Sequence, residues 1–127
     1  MQKKEASITP RIMKWFASVV PFSSPLEIKH TRGKDYFNMA ELKEHQKNWL
    51  LACTTEKGCT WKIPDQGYGF NPFDVLHYKQ ASSYIVIVYP TTLYAIEIRE
   101  IIQITSSRLF EPLCQEICAF KLRLKDL

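Results

Sequence analysis

Long apolar runs are missing from this chain: the longest uninterrupted one, Tyr84 to Tyr89, falls far short of the ~20 residues a membrane-spanning helix needs. The opening MQKKEAS leads into no apolar segment of about 7–15 residues with a small-residue cleavage site. No secretory signal is expected, and a soluble, cytoplasmic protein follows. Charge of one sign is scarce as well. Seventeen Lys and Arg against 13 Asp and Glu leave +4, which suits a polyanionic partner without requiring one. Glycine loops of the GxxxxGKS/T or GxGxxG kind are absent, which argues against nucleotide cradling. The isolated His30, His45 and His77 form no HExxH, and no GxSxG marks a serine hydrolase. No CxxC occurs among Cys53, Cys59, Cys114 and Cys118. Without an export signal they are expected to be free thiols acting as small buried apolar side chains, rather than disulfides or zinc ligands.

What is present suffices for one core: 127 residues, 46% of them hydrophobic, make a single compact domain over 1–127. Ile8, Ile12, Trp15, Phe16 and Val19 recur at helical spacing, which predicts a helix over Lys3–Ser18. Pro10 fits a first turn, so the regular helix is expected near Thr9, with Glu5 in an earlier turn. A strand is predicted over Leu26–His30, a polar segment over His30–Asn38 and a second helix over Met39–Cys53. Cys59–Ile63 reads as a strand and Pro64–Pro72 as a loop. Phe73–Lys79 and Tyr84–Tyr89 read as the arms of a hairpin turning through Gln80–Ser83, and Leu93–Ile98 as another strand. Helices are expected over Ile98–Ile104 and Leu109–Leu122. The order implies an α/β fold, a mixed central β-sheet flanked by helices.

The strand LEIKH carries the chemistry. Alternation puts Leu26 and Ile28 on one face and Glu27 and Lys29 on the other. Hydrolysis of a phosphodiester needs a divalent cation, an activated water and positive charge for the transition state. Glu27 and the Ile28 carbonyl can ligate Mg²⁺ or Mn²⁺, while Lys29 orients the water and offsets charge. A second carboxylate has to converge from elsewhere. Taken alone, the triplet also fits an ordinary half-solvated strand.

The run LEIKHTRGKDYFNMAELKEHQKNWLLACTTEKG resembles the corresponding part of archaeal, bacterial and phage Holliday junction resolvases in the PD-(D/E)xK nuclease superfamily. Its Glu-x-Lys strand is followed by a basic segment and a helix bearing His45-Gln46. The resemblance implies a restriction-endonuclease-like fold, Mg²⁺- or Mn²⁺-dependent cleavage of DNA, branched DNA included, and a homodimer. A dimer contact is expected over Leu109, Phe110, Leu113, Ile117 and Phe120, residues that could instead cap the monomer's own core. It also implies that Glu5 approaches the metal and that Gln46 borders the site. Glu5 reads equally as solvated and Gln46 as ordinary helix packing. The family's aspartate before Glu-x-Lys is missing, since Met1–Leu26 holds none. Asp74, at the head of FDVLHYK, is the best substitute metal ligand; the loop residues Asp65 and Asp35 are poorer ones.

Arg32, Lys34, Lys43 and Lys47, with Lys3, Lys4 and Arg11 from the first helix, could form a phosphate-binding surface, and Tyr68 could stack on a base. Taken singly, each lysine reads more readily as plain solvent-facing charge. A non-catalytic nucleic-acid-binding module and a protein-interaction domain are the competing functions.

Overall fold

A computed structural model describes residues 2–19, 25–55, 58–62, 75–78 and 81–127, with backbone alone described at 2–7, 59–62 and 75–78. Helix α1 runs uninterrupted over Gln2–Val19, with Pro10 inside it. The expectation that the regular helix begins only near Thr9 is therefore corrected. The proline ring leaves only the Ala6 carbonyl without an intrahelical donor, and burial farther along secures the helix. Ile12 and Phe16, one turn apart, are fully buried, with Ile8, Trp15 and Val19 packed beside them.

Strand β1 spans Leu26–His30, as its alternation predicts. β2 (Tyr36–Asn38) emerges from the segment expected to be merely polar. A single 3-10 turn over Met39–Glu41 precedes α2 (Glu44–Cys53), so the expected second helix divides at Leu42-Lys43. β3 (Cys59–Lys62) and β4 (Val75–Tyr78) follow, then β5 (Tyr84–Val88), β6 (Thr92–Glu97) and the single turn α3 (Ile98–Ile101). β7 (Arg108–Phe110), α4 (Glu111–Ile117), β8 (Phe120–Arg123) and a last 3-10 turn complete the chain.

The main sheet is mixed, in the order β1-β5-β6-β8, with β1 parallel to β5 and the other pairs antiparallel. β5 is buried along its whole length, and its YIVIV composition suits a strand covered on both faces. One face packs Tyr84, Val86, Val88, Leu93 and Ala95 against α1. The other packs Ile85, Ile87, Tyr94 and Ile96 against Leu50 of α2, Ile101 of α3 and Cys114 of α4. Phe37 and Leu109, cross-strand partners in the small β2–β7 ribbon, close this second core. The fold is thus helix, mixed sheet, then helices and ribbon.

Two expectations fail for stated reasons. β4 pairs antiparallel with β3, not with β5, so the predicted hairpin does not form. Two residues meant to turn it bond elsewhere, Ala81 N–H donating to the Cys53 carbonyl and the Ser83 carbonyl accepting from Ile98 N–H, while Tyr84 N–H at the head of the second arm bonds the Pro25 carbonyl. The helix expected over Leu109–Leu122 is also replaced. Pro112 sits in the first turn of α4, where a proline is accommodated, and Cys118 is already extended. Ala119 N–H then bonds the Ala95 carbonyl and draws FKLR into the sheet, with Phe120 and Leu122 toward α1. The residues expected to form one dimer face are dispersed accordingly. Leu109 and Ile117 join one core and Phe120 the other, leaving Phe110 and Leu113 exposed.

A buried polar latch ties α4 to the sheet. The Tyr89 hydroxyl donates to the Leu109 carbonyl at 2.6 Å and lies 3.2 Å from the Cys114 sulfur. The Tyr94 hydroxyl donates to Glu111 Oε2 at 2.6 Å. Burial, then the Glu111 bond, raises the Tyr94 hydroxyl to about 12, and burial raises the Cys114 thiol to about 11. Cys114 and Cys118 are free thiols as expected, but Cys53 is disulfide-bonded, which corrects the expectation there. Cys53 is the last residue of α2, a helix that packs against β3.

Candidate active site

β1 is an edge strand of the main sheet, with β5 along one edge and, among the described residues, no strand along the other. Leu26 and Ile28 pack into the α1-side core. Glu27 and Lys29 lie over the other face, beside α2, in register with Ile85 and Ile87 of β5. The backbone phase is fixed at both ends: Tyr84 N–H bonds the Pro25 carbonyl, and Thr31 N–H bonds the Val88 carbonyl. In a parallel ladder alternate residues bond the same neighbour. Residues 25, 27, 29 and 31 therefore face β5, and the Ile28 carbonyl points off the open edge.

Gln46 is the hub. Its Nε2 donates to Glu27 Oε1 at 3.2 Å, while its Oε1 accepts from the Lys43 backbone N–H at 3.0 Å. The second bond is half of a capping box: the cap residue Lys43 has no side-chain acceptor, so the N3 glutamine supplies the reciprocal contact alone. The two bonds fix which end of the amide faces the carboxylate. Lys29 Nζ lies 3.7 Å from the same Glu27 oxygen. Glu27, Lys29 and Gln46, separated by up to 19 positions, are thus brought together.

A cleft of about 320 Å³ opens beside them, lined by Ile28, Lys29, His30, Arg32, Glu41 and Lys43. Its floor is held by Thr31, whose hydroxyl and amide both donate to the Val88 carbonyl. The chain then turns sharply, with Arg32 left-handed at φ 56° and Gly33 at φ 87°. Arg32 reaches Glu41 at 3.4 Å, an exposed pair of little stabilising value. Lys29, Arg32 and Lys43 face Glu41 and the neighbouring Glu27, a balance of one positive charge that favours an anion modestly.

The remaining candidates distribute unevenly. Lys34 stands over the Tyr36 ring, and Lys47 pairs with Glu44 at 3.1 Å. Arg11 is exposed on α1, a helix packed on the face opposite Glu27 and Lys29, and does not line the cleft. Glu5 belongs to α1 too, a helix packed on the face opposite Glu27, and its side chain lies outside the described residues. Asp35 is exposed ahead of β2. Asp74, Tyr68 and Asp65 lie outside the described residues, as does the loop that holds the latter two. Among the described residues no group of three or more His, Cys, Asp or Glu could hold a metal ion. Glu41 and the Lys43 amide escaped sequence reasoning. A Gln at N3 of a helix was the available signal for the latter; Glu41 had none.

No helix among the described residues is long and apolar enough to cross a membrane. Comparison with protein families, with curated proteins and with solved structures finds no match.

Proposed function

We propose that this protein is a metal-dependent endonuclease that hydrolyses DNA phosphodiester bonds, with a restriction-endonuclease-like core. The observation that carries the reading is the convergence of Glu27, Lys29 and Gln46 beside a cationic cleft at the edge of a mixed sheet. The donors described supply one carboxylate and one backbone carbonyl, which suits a Mg²⁺ ion that keeps several waters and takes only one or two carboxylates. Glu27, the Ile28 carbonyl and Asp74 would hold Mg²⁺ or Mn²⁺, which supplies Lewis acidity to the phosphate and to water.

The rest falls to the chain itself. Lys29, only 19% exposed, has its ammonium held by Glu27 at the mouth of the cleft, where it orients a water and offsets charge on the phosphoryl oxygens. Gln46 fixes the Glu27 carboxylate so that its geometry is set before substrate arrives. Arg32 and Lys43 bind flanking phosphates at the cleft rim. A Holliday junction is the proposed substrate, resolved by a homodimer; Glu5 is proposed to assist at the metal.

The test is nicking of supercoiled plasmid and of a four-way junction in Mg²⁺. Cleavage that disappears in Lys29→Ala and in Asp74→Asn, with cooperative unfolding retained, is expected. Undiminished cleavage in Lys29→Ala sinks the assignment. DNA affinity without cutting in Mg²⁺ or Mn²⁺ leaves a binding module in its place.

A further inference from the structure

The β2–β7 ribbon has two unlike faces. Phe37 and Leu109, opposite each other, are 1% and 0% exposed and belong to the core. By alternation the outer face carries Tyr36 and Asn38 on one side and Arg108 and Phe110 on the other, and Lys34, just ahead of β2, reaches over the Tyr36 ring. Tyr36 and Phe110 form a cross-strand ring pair with centroids 5.7 Å apart, and Phe110 remains 43% exposed. The Arg108 guanidinium lies 4.6 Å from the Tyr36 centroid and Lys34 Nζ 5.6 Å from it. Among the described residues neither cation forms an ion pair. The face therefore holds one exposed ring, Phe110, beside a Tyr36 ring that two cations outside any ion pair stand over.

We propose that this outer face is a docking surface for single-stranded nucleic acid, an unpaired base stacking on Phe110 while Arg108, held on the Tyr36 ring, and Lys34 meet the flanking phosphates. Charge complementarity and ring exposure select this partner. A duplex hides its base faces in its own stack, whereas every unpaired base offers one, and an arginine stacked on a ring keeps its donor edge for phosphate. In the chain, β2 follows Arg32 and precedes Glu41, both of which line the cleft. A strand leaving the cleft would run onto the ribbon, which would give the proposed nuclease a preference for DNA with unpaired nucleotides near the cut. In its choice of partner the inference rests on the DNA reading, but not on cleavage.

The experiment is fluorescence anisotropy of the full chain with a labelled oligothymidylate and with a duplex of equal length, in EDTA so that no cutting occurs. Phe110→Ala is expected to weaken oligothymidylate binding about tenfold, with the duplex little changed, and Phe110→Trp to restore it. Arg108→Ala is expected to weaken binding and flatten its salt dependence by about one phosphate contact. Lys14→Ala, exposed on α1 across the sheet, controls for charge alone and leaves affinity unchanged. An unchanged oligothymidylate affinity in Phe110→Ala, equal weakening of single strand and duplex, or no oligothymidylate binding overturns the proposal. So does a Phe110→Ala variant that alters only the oligomeric state, since a second copy would then be the occupant. Phe110-dependent affinity without nicking sinks the nuclease alone, and nicking with Phe110-independent affinity sinks the ribbon alone.

Discussion

β1 and β5 run side by side in parallel register, yet they have opposite characters. β5 is apolar and buried along its length; β1, its neighbour by one ladder, is half-buried and carries Glu27 and Lys29 opposite Ile85 and Ile87. The contrast is one of position. A central strand has cores above and below and partners on both sides, so a charge there would have neither water nor counter-ion. An edge strand has open space beyond one edge, so it can hold charges at fixed points on a rigid element. Stability and chemistry are thereby divided between adjacent strands.

The sharpest way to break this comparison is to move a charge across one ladder. Ile87→Lys, which places the Lys29 side chain on its register partner, is expected to destabilise by more than about 4 kcal/mol and abolish the cooperative urea transition. Ile87→Ala is expected to cost about 2–5 kcal/mol in the same measurement. The converse variant, Lys29→Ala, is expected to lower nicking by about 100-fold or more while shifting the unfolding free energy by less than about 1 kcal/mol. A large loss of stability in Lys29→Ala would show that β1 is a structural strand after all.

Gln46 separates positioning from capping. Gln46→Ala removes both of its hydrogen bonds and is expected to cost about 1 kcal/mol and about tenfold in nicking. Gln46→Glu keeps an acceptor for the Lys43 amide but sets a second carboxylate against Glu27. Its melting temperature is expected near wild type at low pH and below it at neutral pH.

The smallest effect concerns the latch on the central strands. Tyr94 and Cys114 have folded-state values raised above the ordinary 10.0 and 9.0, to about 12 and about 11. The folded protein therefore holds protons that the unfolded chain releases, so stability is full below about pH 9 and falls as pH rises toward 12. Denaturant titrations at stepped pH check this. Tyr94→Phe is expected to flatten the upper part of the decline.

How much of this was legible in the sequence depended on whether the signal was local. The ends of β1 and the sidedness of Glu27 and Lys29 follow from alternation over five residues, and α1 from apolar spacing over about three turns. Pairing was not legible. VLHY and YIVIV look like hairpin arms, but which strand each joins is settled by the cores they close and by the destinations of the Ala81 and Tyr84 amides. β7 and β2 are three residues long, too short for periodicity to register. FKLR does alternate, but it follows an apolar stretch that also satisfies helical spacing. Within the site, His45-Gln46 directed attention to the right turn of α2, and the structure assigns the inward contact to Gln46, with His45 exposed.

The Gln46 bridge also makes a backbone proton report on a carboxylate. The Lys43 amide, at the edge of solvent, has Gln46 Oε1 as its partner, and the other end of that amide group holds Glu27. Fraying of the first turn of α2 would release both together, and anything that draws Glu27 away would loosen the same turn. Hydrogen exchange at one position, Lys43, would then follow the heading of the Glu27 side chain without any probe in the cleft.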